Sequence, residues 1–190
     1  SPTMAAPTVF FGEDLGLGEG TRLASHPNAD DARDAFLATL IGVGTEDFEG
    51  FSDGDTAPLA IVFPSAGTAT ISGSGSIDNV PSGTNGFGRY PISGDQYWTA
   101  STGFSIAFSD PVAAFGFYGV DIGDFGGQVT LTLSTGEFLT IPNTINGNGG
   151  GVLYYGIIDA SNPFTSAAFG NTAAGTDVFG FDDMTIGSPE

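Results

Sequence analysis

Short apolar runs closed off by glycine set the strongest limit on what this chain can fold into. In Val129-Thr130-Leu131-Thr132-Leu133, apolar and hydroxyl-bearing residues alternate. That period of two marks a half-buried antiparallel strand. Ser134-Thr135-Gly136 follows at once and reads as a tight hairpin turn into a strand over 137–141. Leu59-Ala60-Ile61-Val62-Phe63, a turn at 64–67 and Thr68-Ala69-Thr70-Ile71 make a second hairpin. Further runs at 104–108, 112–118, 128–133, 152–158, 164–169 and 179–186 repeat the pattern. Roughly nine strands punctuated by turns predict an all-β chain, an antiparallel β-sandwich of jelly-roll type.

One helix interrupts this pattern, predicted over 28–41. Ala32, Phe36 and Leu40 recur every four residues, Asp30 and Asp31 suit the positive end of the helix dipole, and Asn28 or Ser25 can cap it. Gly42 and Gly44 stop it. Residues 73–103 are rich in Gly, Ser and Asn and read as a long irregular excursion. Residues 1–24 read as an arm outside the core. Val9, Phe10 and Phe11 form its strand, and Gly12, Gly16, Gly18 and Gly20 form its hinge. The sandwich domain is placed at 25–187.

Composition narrows the function. Twenty-two acidic residues stand against three Lys+Arg, a formal charge of −19. Phosphate backbones need clustered cations, so nucleic acid is excluded as a partner and an anionic membrane surface disfavoured. The absence of Cys removes disulfides, thiolate metal sites and cysteine nucleophiles. All three cations are arginines, and with no lysine there is no Schiff-base chemistry and no isopeptide link between subunits. The single histidine, His26, precedes Pro27 with no Gly-x-Ser-x-Gly elbow anywhere, so a serine-hydrolase triad has no base in place. Paired carboxylates could serve glycoside hydrolysis, but among 22 acids such a pair has no specificity. The expectation is a non-enzymatic protein.

Two kinds of binding residue remain. Calcium takes six to eight oxygens from carboxylates and loop carbonyls, which acidic glycine-rich loops supply. Glu46 and Glu49, Asp121 and Asp124, and Asp182 and Asp183, with Asp177 nearby, are the candidate ligands. Tyr90, Tyr97 and Trp98 lie in the irregular excursion and are candidates for a carbohydrate-stacking platform.

Three segments together carry a resemblance. They are Ala29-Asp30-Asp31-Ala32-Arg33 through Glu46-Asp47-Phe48-Glu49-Gly50-Phe51, the centre Ala114-Phe115-Gly116-Phe117-Tyr118-Gly119-Val120-Asp121-Ile122-Gly123-Asp124, and the end Asp177-Val178-Phe179-Gly180-Phe181-Asp182-Asp183-Met184. The chain resembles secreted bacterial proteins of the PEP-CTERM class, whose sorting tail is read by an exosortase. The resemblance covers most of 28–187 and none of 1–24, and it includes no catalytic signature. It implies export, association with extracellular polysaccharide or biofilm matrix, and Ser188-Pro189-Glu190 as the remnant of a sorting region in a processed form without membrane attachment. It also implies a structural calcium, with Glu49 and Asp183 the best-matched ligands and Glu46 and Asp182 next.

Two functional expectations follow. In the first, the protein is a secreted structural component that assembles non-covalently with copies of itself, filaments being one form open to it, through the strand Val9-Phe10-Phe11, with calcium stabilising it. In the second, it is a carbohydrate-binding matrix adhesin. Whether the arm docks on its own sandwich or on a neighbour's stays open in the sequence.

Overall fold

The computed structural model describes residues 5–189. Among these residues there are thirteen strands and one helix. They form two antiparallel sheets packed face to face, the architecture expected from the alternation. The larger sheet runs β1 (Thr8–Asp14), β11 (Val152–Ile158), β8 (Ala114–Val120), β13 (Val178–Pro189), β6 (Gln96–Ser101) and β5 (Gly75–Asn79), with β2 (Leu40–Glu46) also paired to β13. The smaller runs β10 (Phe138–Thr140), β9 (Val129–Leu133), β12 (Phe164–Asn171), β7 (Ser105–Val112), β4 (Gly67–Ser72) and β3 (Leu59–Phe63). Both expected hairpins are present, β3–β4 and β9–β10.

Phenylalanine fills the space between the sheets. Phe104 stacks on Phe169 with ring centroids 4.3 Å apart, and Phe117 on Phe181 at 4.8 Å. All four are buried, together with Phe48, Phe108, Phe115, Phe164 and Phe179. A second apolar cluster covers the outer face of the larger sheet, where Ala29, Ala32 and Phe36 of helix α1 (Pro27–Leu37) meet Tyr118, Tyr154 and Val152.

Glycine decides how closely that helix approaches. Gly116 of β8 and Gly156 of β11 are direct cross-strand partners. A Cβ on Gly156 would lie 2.8 and 2.9 Å from two carbons of the Phe36 ring, and one on Gly116 would lie 2.8 Å from a third. The glycine pair is therefore the floor on which the ring rests.

The structure corrects several expectations. Helix α1 ends at Leu37, and Leu40 begins β2, because Leu40, Ile41 and residues 44–46 pair with β13 on either side of a register shift in which Gly42 takes φ +61°. The helix is capped by neither Asn28 nor Ser25. The Asn28 and Ala29 amides donate to the two carboxylate oxygens of Asp14, at 3.2 and 2.9 Å. The excursion at 73–103 contains two ordered strands, β5 and β6. Residues 8–14 are an integral edge strand, since β1 pairs with β11 of the same chain along its whole length. Ser188 and Pro189 pair with Ile41 and Leu40 in β2, so the second sheet partner of β13 extends past the boundary drawn at 187. Residues 1–4 and Glu190 lie outside the described residues. No helix among the described residues is long and apolar enough to cross a membrane.

Phe36→Ala is expected to cost about 3–5 kcal/mol by denaturant unfolding, as for other buried aromatic truncations. Gly156→Ala should cost about 1–3 kcal/mol through overpacking. In the Phe36→Ala background the glycine substitution should cost much less, because its clashing partner is gone. Additive costs would show that the ring does not rest on Gly156.

Candidate functional site

The sequence-predicted residues fall into two acidic regions and one set of buried rings. The first acidic region fastens the 80–96 segment to the larger sheet. Asp182, fully buried in β13, accepts the Ile92 and Ser93 amides on Oδ2 at 2.8 and 3.1 Å, and the Asp183 amide on Oδ1 at 2.9 Å. Asp183 sits at φ +49°, within a register shift of β13, and accepts the Ser93 hydroxyl at 2.5 Å. Glu49 accepts the Asp95 amide on one oxygen and the Gln96 amide on the other, at 2.7 and 2.8 Å. Glu46 accepts the Phe48 amide at 2.8 Å.

Glu46, Glu49 and Asp182 accept backbone amides and Asp183 accepts a hydroxyl, so each already has a donor within the chain. Among the described residues no three His, Cys, Asp or Glu side chains converge to hold a metal ion. What this region does chemically is hold an irregular chain segment against a sheet.

The second region lies where the β8–β9 loop meets the start of β13. Asp121, at φ +63° and buried, accepts the Gly150 amide on Oδ1 and the Arg89 Nε–H on Oδ2, both at 2.8 Å. Arg89 also reaches Glu19 at 3.2 Å. Asp177, only 1% exposed, accepts the Gly123 amide on Oδ2 at 3.0 Å. Its Oδ1 has no hydrogen-bond partner among the described residues, and Asp124 is its neighbouring carboxylate. Burial first, then the charges of Asp124 and Asp121, push the Asp177 carboxyl up to about 8. Burial and the Asp183 charge hold Asp182 well above the ordinary carboxylate range.

The candidate carbohydrate platform is not formed. Tyr90 is 3% exposed, and Tyr97 and Trp98 are fully buried. Tyr97 and Trp98 belong to β6, while Tyr90 packs under the excursion and donates its hydroxyl to the Gly150 carbonyl at 2.6 Å. A sugar cannot stack on a ring that the protein already covers, so these three residues are structural. Of the candidate arm residues, Val9 is 43% exposed while Phe10 and Phe11 are half-buried, with Phe10 edge-on to Phe36 at 5.6 Å.

Sequence reasoning missed Asp14 as the cap of α1, Ser93 as the hydroxyl that meets Asp183, and Arg89 as the partner of Asp121. Only Asp177 had carried a signal, its closeness in sequence to Asp182 and Asp183. His26 stands at the head of α1, with its Nδ1 2.8 Å from Asp30 Oδ1, which also accepts the Tyr118 hydroxyl at 2.6 Å.

No protein-family model matches the chain, and no curated protein matches it in sequence. Among solved structures, the K2 cleaved adhesin domain of Lys-gingipain is similar over 76% of this chain and 97% of that one, at 15% identity and a TM-score of 0.46. The K1 cleaved adhesin domain of Lys-gingipain from Porphyromonas gingivalis W83 is similar over 78% and 99%, at 14% identity and a TM-score of 0.33. Likenesses at this level carry no functional argument.

The raised carboxyls set a pH dependence. In the unfolded chain an aspartate ionises near about 3.9. Between there and about 8 the folded protein keeps a proton at Asp177 that the unfolded chain has released. Stability from this group is therefore full at low pH and is lost as pH rises through the folded value. In a chelating buffer the melting temperature should fall from pH 5 toward about pH 8. Asp177→Asn, which keeps the shape and removes the titration, should flatten that slope. Parallel curves for the two proteins would show that Asp177 is not responsible.

Proposed function

We propose that the protein is a secreted, non-enzymatic structural component of an extracellular matrix, and that copies join edge to edge through β1 of one and β3 of the next. One observation carries this reading. In a chain of charge −19, each sheet ends in a strand with an uncharged stretch of five residues, and the two lie on opposite flanks. Residues 8–12 of β1 and all of β3 carry no charged side chain. β1 ends the larger sheet, whereas β3 ends the smaller one and touches β2, on the far side of β13 from β1.

Unpaired edges are templates for a further strand, and soluble proteins blunt them with charge. Here the reverse holds. Val62 of β3 is 72% exposed and Val9 of β1 43% exposed. A contact between two different edges is heterologous and continues into an open chain of subunits, as a matrix polymer requires. Export and matrix association are what the resemblance to PEP-CTERM proteins implies. The arm docks on its own sheet, so the reading does not need strand exchange: Glu13 accepts the Thr144 amide and hydroxyl, and Asp14 caps α1, which together pin β1 in place.

Each edge can be blocked without touching the core. Val9→Lys and Val62→Lys should each leave a folded monomer where the parent protein forms larger species by light scattering and electron microscopy. Mixed in equal amounts, the two variants should form dimers and nothing longer, since each retains the edge the other lacks. A parent protein that stays monomeric at high concentration, with and without calcium and across pH 4–8, would rule self-assembly out.

A further inference from the structure

We propose that Asp124 and Asp177 form a divalent-cation site of the calcium class, clamping the β8–β9 loop to the start of β13. The site is separate from the acidic segments at Glu46–Glu49 and Asp182–Asp183 and does not depend on the self-association reading.

The argument begins with one oxygen. Asp177 is 1% exposed, and its Oδ1 is buried with no hydrogen-bond partner among the described residues. A buried polar atom in that state needs an explanation. Its neighbour is another acceptor, the carboxylate of Asp124, with the Asp121 charge behind it. Two adjoining carboxyl groups are held together by a shared proton or by a cation, and the chain's three cationic side chains are engaged with other partners. Arg89 is held by Asp121 and Glu19. Arg22 donates to the Val80 and Gly83 carbonyls, and Arg33 pairs with Asp34. There is no lysine among the three Lys+Arg, all of which are these arginines.

The loop suits a hard cation. Asp121, Gly123 and Gly126 all have positive φ, and within this curled backbone the Gly123 amide donates to Asp177. Asn146 braces that turn, its amide donating to the Gly123 carbonyl at 2.7 Å and its side-chain oxygen accepting the Gly126 amide at 2.9 Å. Asp124 is exposed, so an ion can enter from solvent and keep water in its shell. Calcium tolerates such a mixed, irregular set of oxygens, whereas magnesium demands octahedral geometry. With only two carboxylates in the set, affinity belongs in the range of extracellular modules, about 10⁻⁴–10⁻³ M. Asp121 is left out of the pair because its Oδ2 already faces the Arg89 guanidinium.

The test is a calcium chloride titration of the chelator-treated full chain by calorimetry, paired with melting curves. The parent protein should bind calcium in that range, with one equivalent lost in both Asp177→Asn and Asp124→Asn and kept in Asp183→Asn. Calcium should raise the melting temperature of the parent and of Asp183→Asn but not of Asp177→Asn. The calcium-free Asp177→Asn protein should melt at or above the calcium-free parent, since its amide can donate to Asp124, and this separates a lost ligand from a damaged fold. Identical parent melting curves in chelator and in excess calcium would overturn the site. So would a calcium stoichiometry in Asp177→Asn and Asp124→Asn equal to that of the parent.

Discussion

The buried carboxylate of Asp182 is the interaction on which the arrangement of this protein turns. It lies midway along β13, the strand that pairs with β6 through its first half, β2 through its second, and β8 on its other side. At the register shift beside it the ladder to β8 is interrupted. Asp182 takes up backbone amides where the ladder cannot, from its own strand and from Ile92 and Ser93 of the overlying segment. A buried carboxylate is costly unless several donors converge on it. Three do so here, at the point where the strand changes neighbours.

The same use of carboxylates recurs wherever the chain is irregular. Glu49 holds the approach to β6, Asp14 caps α1, Glu13 holds Thr144, and Asp121 holds Gly150. With three arginines for 22 acids, ion pairing cannot satisfy most of the carboxylates. Backbone N–H groups left over by loops and helix ends are the other abundant donors, and they are uncharged. The acidity is thus partly a fastening system for a fold with long connections. At Asp177 that system runs short of donors by one.

The fold was legible because strand alternation is local. Leu59-Ala60-Ile61-Val62-Phe63 and Val129-Thr130-Leu131-Thr132-Leu133 declare their faces within five residues; β3 alternates as they predict, and β9 departs from it only at Thr130, which is buried. β2, β5 and β6 were not legible for the opposite reason. Gly42 and Gly44 in β2 imitate a helix stop, and Gln96-Tyr97-Trp98-Thr99-Ala100 is buried on both faces, so no alternation shows. That double burial is also why Tyr97 and Trp98 looked available in the sequence: a covering layer drawn from residues 80–95 is a long-range fact. The acidic ligands were ambiguous on chemical grounds, since a carboxylate bound to backbone amides and one awaiting a cation have the same sequence. Glycine misled in the arm. A Cβ at Gly12 would collide with the Asn28 carbonyl and one at Gly16 with the Gly149 carbonyl, so these two are points of close approach, and only Gly18 and Gly20 have open space around them.

Charge then governs what the outside of the molecule can do. A formal −19 on 190 residues sets up mutual repulsion between copies, but that repulsion fades beyond about 8 Å at physiological ionic strength. What matters for contact is the charge within that distance of the touching surfaces. Along β1 the two acids, Glu13 and Asp14, are turned to internal work, and the remainder of the strand is neutral. β3 is neutral throughout and is paired to β4, whose residues Gly67–Ser72 are neutral too. On the proposed reading, copies would meet along these neutral stretches, with Asp110 beside Gly67 and the acids of α1 beside β1 the nearest sources of opposition.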